Sequence, residues 1–590
     1  MTTEAEHYVL AAKLANDGPA EGQSKGSLAS CIVEECVAAN LSIAKAEPLF
    51  IVAHDKHNIR IGIFRDLWKA RTKGDSKASK DGGIMQQIMS DGVELWHDQD
   101  GTGFITFKRD GHKQTVALES KRFKEWLVWR YYDITGNSVG GDTVKNAMAS
   151  AQARAFYAGT EHRSWIRTAE ADGKLYLDLG DDDWTVIEID ADGWRVAKDP
   201  PVRFRRGGGR ALPMPVQGGS IDPLWQFVNV THQSDRMLIL AAMVATFRPG
   251  FPFPLLFLAG ESSAAKSSGQ NYLRNLIDPC KAGSRGMPKT EDDILVTANS
   301  NLIFGVDNVS VISGAMSDAL CRLITGGGIG KRGLYTDADE FVLEAIRPIF
   351  MNGLSFPTDQ QDLLSRTILV TLSVLDPTKI KTEAKLDALY ERERPKLIGA
   401  LLDAVSVAIR RLPKIKLEES ARMADFMAWG EAAGEAFGWK PKAFSTVYTA
   451  ACSDLFRNVA EADLLTKTIV RYLKQRHGQT MEGTAFEILE WLNRFVTDDN
   501  IKRASKWPKD AQWMGRRLVH ITKGLRAAGV SVEVGRDTDR MVDTYTLTLV
   551  APGAKGNGAA SDIPGTEEQA SGTPAGEPGT EDDRDGEMPF

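Results

Sequence analysis

Lys266 and Ser267 stand side by side, six and seven residues after Gly260, in the stretch Gly260-Glu261-Ser262-Ser263-Ala264-Ala265-Lys266-Ser267-Ser268. The five residues before it, Leu255-Leu256-Phe257-Leu258-Ala259, form an apolar run of strand length, and those after it put Leu273, Leu276 and Ile277 on one helical face. Strand, loop and helix in that order are the context in which GxxxxGK[ST] holds phosphate. The loop's backbone N–H groups and the helix N-terminus face phosphate oxygens. The ligand such a loop implies is ATP with Mg²⁺, Lys266 reaching the β- and γ-phosphates and the Ser267 hydroxyl holding the metal. Ala265 departs from the pattern. It replaces the second glycine and adds a Cβ where a φ > 0 or a close approach to phosphate is served by glycine. A chance Lys-Ser pair after a strand is the plain alternative.

Three further residues fit the same chemistry. Asn301-Leu302-Ile303-Phe304-Gly305-Val306 is an apolar strand ending in Asp307-Asn308. A carboxylate at a strand tip, about 40 residues beyond the loop, suits the second Mg²⁺ partner; an ordinary strand-end Asp reads the same way. Pro348-Ile349-Phe350-Met351 leads into Asn352-Gly353, where Asn352 could orient the attacking water or touch the γ-phosphate, or simply make an Asn-Gly turn. Arg366 precedes the strand Thr367 to Leu372 and is placed as a finger inserted into a neighbouring subunit's site, although a lone Arg is usually solvated.

These residues need a scaffold. A chain of 590 residues holds several domains, and 42% hydrophobic with 26% charged residues is ordinary for a soluble globular protein. The longest apolar run, Met237 to Ala245, is too short to cross a bilayer. The acidic N-terminus lacks the basic and apolar regions of a secretory signal, and Cys31, Cys36, Cys280, Cys321 and Cys452 are scattered without a CxxC pair. The expectation is a cytoplasmic protein of a bacterial cell, with no membrane partner. Net charge is −7, but residues 551–590 hold nine acidic against two basic residues, so the rest of the chain balances and can still carry basic patches. Five regions follow: an α+β N-terminal region over 1–215, an α/β core over 216–375, a helical region over 376–479, helices and a hairpin over 480–550, and a tail over 551–590 whose eight Gly and five Pro predict disorder.

The order of loop, Asp-tipped strand, Asn-tipped strand and Arg resembles the superfamily 3 helicases, a branch of the AAA+ ATPases of viruses, phages and plasmids, over roughly residues 230–375. Ser317-Asp318-Ala319-Leu320-Cys321-Arg322-Leu323-Ile324-Thr325-Gly326-Gly327-Gly328-Ile329-Gly330-Lys331-Arg332-Gly333-Leu334-Tyr335 is similar to the segment that precedes the Asn-tipped strand in poxvirus- and phage-type primase-helicases. The resemblance implies an α/β P-loop NTPase core, Asn352 as a sensor, and Lys331 and Arg332 on a loop facing DNA in the pore of a ring, a hexamer. Two departures stand out. No second acid follows Asp307, and no primase active site is evident in the first 215 residues.

Outside the core, Met514, Leu518, Ile521, Leu525 and Ala528 form one helical stripe, with Arg516, Arg517, His520, Lys523 and Arg526 on the other faces. Gly529 ends the helix, and Val530, Val532, Val534 and Tyr545, Leu547, Leu549 alternate as a hairpin. Helix then hairpin resembles a winged helix, with Arg516, Arg517 and Lys523 as groove contacts to duplex origin DNA; a solvated basic helix in a protein-contact domain is the alternative. Thr484 to Glu487 is a capping box that starts another helix. The segment Lys121 to Tyr132 interleaves basic and aromatic residues, which suits base stacking, but Phe123, Trp126, Leu127 and Arg130 at helical spacing favour a core face with a basic rim. The acidic tail closes on Met588-Pro589-Phe590 and resembles the tip of bacterial single-stranded DNA-binding proteins, which implies host replication or repair proteins as partners. The function expected is an ATP-dependent helicase or translocase on single-stranded DNA for a phage or mobile element. A DNA-stimulated remodelling or loading ATPase and a non-catalytic ATP-binding scaffold are the rivals.

Overall fold

The computed structural model describes residues 4–550 apart from 21–22, 73–76, 110, 282, 328, 333–339, 344, 377–380, 419–421, 477–478, 505 and 538–541. The architecture is mixed α/β, and the chain divides into two units, Met1–Ala462 and Asp463–Phe590.

The first unit opens with four helices, Glu4–Asp17, Lys25–Ala38, Ile43–His57 and Ile61–Thr72, packed around Phe50, Phe64 and Trp68. The second and third helices are separated at Asn40, whose φ of 54° ends one before Ser42 starts the next. A second cluster packs the hairpin Gly103–Arg109 and His112–Ala117 against helices Lys121–Thr135 and Gly141–Tyr157. Phe123, Leu127 and Tyr131 face inward, with Trp126 stacked on Phe107 at 4.3 Å, so the core reading of this segment holds for its inner face. Arg130 lies on the outer face instead, bonded to Asp133 at 2.7 Å. A four-stranded antiparallel meander over 168–196 follows.

The core of the unit is a parallel sheet of β1 (Leu255–Ala259), β2 (Phe304–Val306), β3 (Ile349–Gly353) and β4 (Thr367–Thr371), in the spatial order β2-β3-β1-β4. All five residues of β1 are buried, as a central strand covered on both faces requires. Helix α1 (Gln233–Ala245) explains the longest apolar run: Met237 to Ala245 are all buried, so this is a core helix enclosed on every side. Helix α2 (Lys266–Asn275) follows β1, α3 (Gly314–Thr325) follows β2, and α4 (Glu383–Arg411) packs with the later helices onto the same core. The helices from 383 to 462 therefore belong to the core and do not form a separate region. α4 runs through Pro395, whose carbonyl accepts the Val216 N–H at 3.0 Å.

The second unit starts earlier than residue 480, because helix Leu464–Gln475 buries Leu465, Ile469 and Leu473 in its core. Strand Thr480–Thr484, helix Ala485–Phe495, helix Ala511–Ala527 and the hairpin Val530–Asp537 and Val542–Leu549 complete it, with Thr480–Thr484 adding to the hairpin as a third strand. The Thr484–Glu487 capping box is formed. No described helix is long and apolar enough to cross a membrane.

Candidate nucleotide site and nucleic-acid-facing elements

A parallel sheet delivers its loops at the strands' C-terminal ends, and four chain segments meet there: the 260–265 loop after β1, Asp307 after β2, Asn352 near the end of β3, and Leu372 after β4. Because β3 lies between β1 and β2, Asn352 sits between the loop and the acid.

The loop is held by its own backbone and by its neighbours. Ala264 N–H donates to the Glu261 carbonyl at 3.1 Å and Leu375 N–H to the Ser263 carbonyl at 3.4 Å. A Cβ on Gly260 would lie 3.0 Å from the Ala264 Cβ and 3.1 Å from the Leu372 carbonyl, so the loop packs closely there. Ala265 stands at φ 54°, ψ 37°, the left-handed conformation that the loop pattern reserves for glycine, and caps α2 without a side-chain bond. The Lys266 ammonium donates to the Glu261 carbonyl at 2.7 Å, folded back across the loop. The first N–H groups of α2 have no intrahelical acceptor by construction, so Lys266, Ser267 and Ser268 offer donors to the loop's interior.

Ser267 Oγ donates to Asp307 Oδ1 at 2.7 Å, and Asn352 Nδ2 donates to the same oxygen at 2.7 Å. Asn352 is fully buried. Its Nδ2 also reaches Gln270 Oε1 at 2.8 Å, and its Oδ1 accepts the Asn308 N–H at 3.1 Å. Gln270, likewise 0% exposed, donates to Ser284 Oγ at 2.7 Å and to the Val306 carbonyl at 3.1 Å. The Asn-Gly turn alternative falls: Asn352 and Gly353 are paired strand residues. Glycine is needed at 353 because a Cβ would come within 2.5 Å of the Val309 carbonyl. Gln270 and Ser284 were not singled out from the sequence. The available signal was an amide one turn after Lys266 on the face α2 buries, between Gly269 and Leu273.

Arg366 is not brought to this cluster. It precedes β4, at the sheet's opposite edge, and its guanidinium pairs with Asp362 at 2.6 Å, where Arg422 also pairs at 2.6 Å. With its side chain 12% exposed, Arg366 is occupied within its own chain. Lys331 and Arg332 fall on a two-stranded antiparallel hairpin, Ile329–Arg332 with Glu340–Leu343, inserted between α3 and β3.

In the second unit, Arg516, Lys523 and Arg526 are exposed on helix Ala511–Ala527. Arg517 is withdrawn from that basic face: its side chain is 11% exposed and pairs with Asp463, which also caps the first helix of the unit through Thr466 N–H at 2.9 Å. The expectation that Arg517 contacts DNA is thus corrected, because a guanidinium turned inward onto Asp463 is not presented to a groove. Met588, Pro589 and Phe590 lie outside the described residues.

Residues 221–456 match the model of the actinomycete integrative conjugative element replication protein family, and residues 465–561 match the C-terminal domain of the same replication protein, RepA. The two matches meet where the two units divide. No curated protein matches the chain. Among solved structures, two apo structures of the NrS-1 C-terminal region match at 11% identity and TM-score 0.34, covering 79% and 81% of this chain and 98% and 100% of theirs. A superposition that loose carries no argument about fold or function. The family match spans the core with its flanking helices and the C-terminal unit, and on that ground the chain is a replication protein of a mobile element, similar to those of actinomycete integrative conjugative elements.

Proposed function

We propose that this replication protein is an ATP-driven DNA motor of the P-loop class, with its nucleotide site at the 260–268 loop. The observation that carries the reading is the meeting of Ser267 Oγ and Asp307 Oδ1 at 2.7 Å, at a helix N-terminus and at the tips of a parallel sheet. Two hard oxygen donors side by side fit Mg²⁺, which takes few protein ligands and leaves its other positions to water and phosphate oxygens. Lys266 and the first N–H groups of α2 are the residues that would hold the phosphates. When bound, MgATP supplies the free energy of γ-phosphate hydrolysis. Asn352 fixes the Asp307 carboxylate and ties it through Gln270 to α2, so the metal-holding and phosphate-holding elements are joined by side chains. Arg366, at the far end of the sheet and paired with Asp362 in its own chain, enters this reading only as a residue offered across a subunit interface.

On the DNA side, Lys331 and Arg332 of the hairpin are assigned to a single strand, and Arg516 and Lys523 of the C-terminal unit to duplex phosphates. A ring, with the hexamer as its size, and recruitment of host replication or repair proteins by Met588-Pro589-Phe590 complete the proposal. One observation favours a second reading, an ATP-binding scaffold with slow turnover. Asn308 stands where a second acid would activate water. ATP hydrolysis with and without single-stranded DNA, in wild type and Lys266→Ala, separates the two. DNA-stimulated turnover that the substitution abolishes is expected. ATP binding without turnover in wild type leaves the scaffold.

A further inference from the structure

At the sheet edge opposite the nucleotide site lies a cavity of about 630 Å³, within the size range that holds a small-molecule-sized group. The segments leading into β1, β2 and β3 form one side of it, and residues 98–100, 163–166, 168 and 205 of the N-terminal region form the other. Three guanidinium groups, Arg163, Arg205 and Arg347, line it.

Three guanidiniums share the wall with two carboxylates, Asp98 and Asp100, both of which act on Arg205, so the positive charge is in excess. Asp98 is buried; its Oδ1 accepts the Asp100 and Thr102 N–H groups at 3.2 and 3.0 Å, and its Oδ2 accepts Ser164 Oγ at 2.8 Å. Arg205 Nε is buried without a hydrogen-bond partner. Arg347 spends its donors on main-chain carbonyls, Nε on Ala298 and Nη1 on Ile346, both at 2.9 Å, which orient it without neutralising it. Arg163 lies 4.0 Å over the Trp165 ring and is exposed. Burial, with the Arg205 charge next and Arg163 adding to it against Asp278, pulls Arg347 down to about 10. Like charges gathered in a partly enclosed space cost free energy unless an anion joins them.

The cavity also has a direction. The hairpin bearing Lys331 and Arg332 leaves the core after Gly326 and returns at Ala345, and Gly326 and Ala345 are on the cavity wall. Guanidinium forks match phosphate oxygens two at a time, and an aromatic ring beside them can take a base.

We infer that Arg163, Arg205 and Arg347 form a phosphate-binding cavity for the backbone of single-stranded DNA, continuous with the base of the hairpin and built jointly by the N-terminal region and the core. The inference rests on the reading that the chain works on DNA and is independent of the ATPase reading. It gives the N-terminal region a task, completing the strand-holding surface.

The test uses the full chain, a fluorescein-labelled oligothymidylate and anisotropy titrations over a range of salt, without ATP. Because Arg163 is exposed, Arg163→Gln keeps the fold; Arg205→Gln is added to it, and Arg163→Lys with Arg205→Lys serves as the charge-keeping control. The glutamine pair is expected to weaken binding about tenfold, as removal of charge-assisted hydrogen bonds does. The salt slope should flatten by about 0.7 for each phosphate no longer neutralised, and the lysine pair should recover most of both. Basal ATP hydrolysis of the same variants should match wild type, so absence of turnover in wild type would defeat the proposed function and leave this test readable. Unchanged affinity and slope in the glutamine pair would overturn the inference. So would loss of affinity for a fluorescent ATP analogue with oligothymidylate binding intact, which would assign the cavity to a free nucleotide.

Discussion

Asn352→Ala is the perturbation that most directly probes the candidate site. The amide makes three hydrogen bonds: to the Asp307 carboxylate at 2.7 Å, to Gln270 Oε1 at 2.8 Å, and from the Asn308 N–H at 3.1 Å. Truncation leaves Gln270 Oε1 unpaired in a place water does not reach, since Gln270 is 0% exposed; an unsatisfied buried acceptor costs about 1–3 kcal/mol. The bond to Asp307 that disappears is charge-assisted, but Asp307 is half-buried and water replaces part of it, so the lower end of the roughly 1.5–3 kcal/mol range applies. Asn308 is exposed, and its N–H can turn to water at little cost. The sum, taken as non-additive, is about 2–4 kcal/mol. A chain of several domains has no single unfolding midpoint, so the assay is amide hydrogen exchange of the peptide covering Lys266 to Asn275. If that helix exchanges by local opening, the loss corresponds to roughly 30- to 700-fold faster exchange. Ser267→Ala is the contrast: Ser267 is exposed, water can take its place on Asp307, and exchange there should rise by less than about fivefold while MgATP hydrolysis falls as far as in Asn352→Ala. Exchange in Asn352→Ala within about threefold of wild type would refute the view that this amide ties the acid to the loop helix.

Ala265→Gly should stabilise the loop. A left-handed alanine costs about 1–2 kcal/mol, glycine's greater unfolded-state freedom returns about 0.5–1, and slower exchange at the start of α2 is the readout; faster exchange would count against it. Asp278→Ala should cost about 3–5 kcal/mol in thermal unfolding of the first unit, because Asp278 faces Arg167 at 3.4 Å and Arg274 at 4.0 Å, all buried, and accepts the Ile303 N–H at 2.9 Å. In the second unit, Arg517→Ala should lower stability by about 3 kcal/mol, because Asp463 keeps its Thr466 cap but loses the cation paired with its other oxygen. Arg516→Ala with Lys523→Ala should leave melting unchanged and flatten the salt slope for duplex DNA by about 0.9 for each phosphate no longer neutralised; equal effects of the two sets on binding would refute the division. The Glu188 carboxyl is held below its ordinary range, first by Lys174 and then by Arg195, and Asp190 by Arg195. Lowered folded-state values mean stabilisation that is complete above the unfolded-state range near pH ~4, declines below it, and is lost as pH falls through the lower folded-state values. Thermal stability should therefore drop less on acidification in Arg195→Ala than in wild type.

What the sequence made legible divides along a physical line. The loop, its strand and its helix could be read because each is a local pattern: an apolar run, a Gly-to-Lys-Ser spacing, a helical stripe of Leu273, Leu276 and Ile277. Asp307 and Asn352 could be read as strand tips, yet their common partner could not. That partner, Gln270, acts only because β3 lies between β1 and β2, and strand order is a property of the folded sheet. Arg517 shows the complementary failure. It has the residue type the chemistry asks for, but a charge's role is set by its partners. Asp463 lies 54 residues from Arg517 and gave no local sign, whereas the pairing of Arg366 with Asp362 is a local one, four residues apart. Arg163, Arg205 and Arg347 were invisible for the same reason, since no spacing along the chain relates them. Arg517 finds its partner at a distance and is withdrawn from the basic face, whereas Arg163, Arg205 and Arg347 converge on one cavity in excess of the acids that line it. That sorting is made by the folded chain, and the inferred phosphate cavity rests on it.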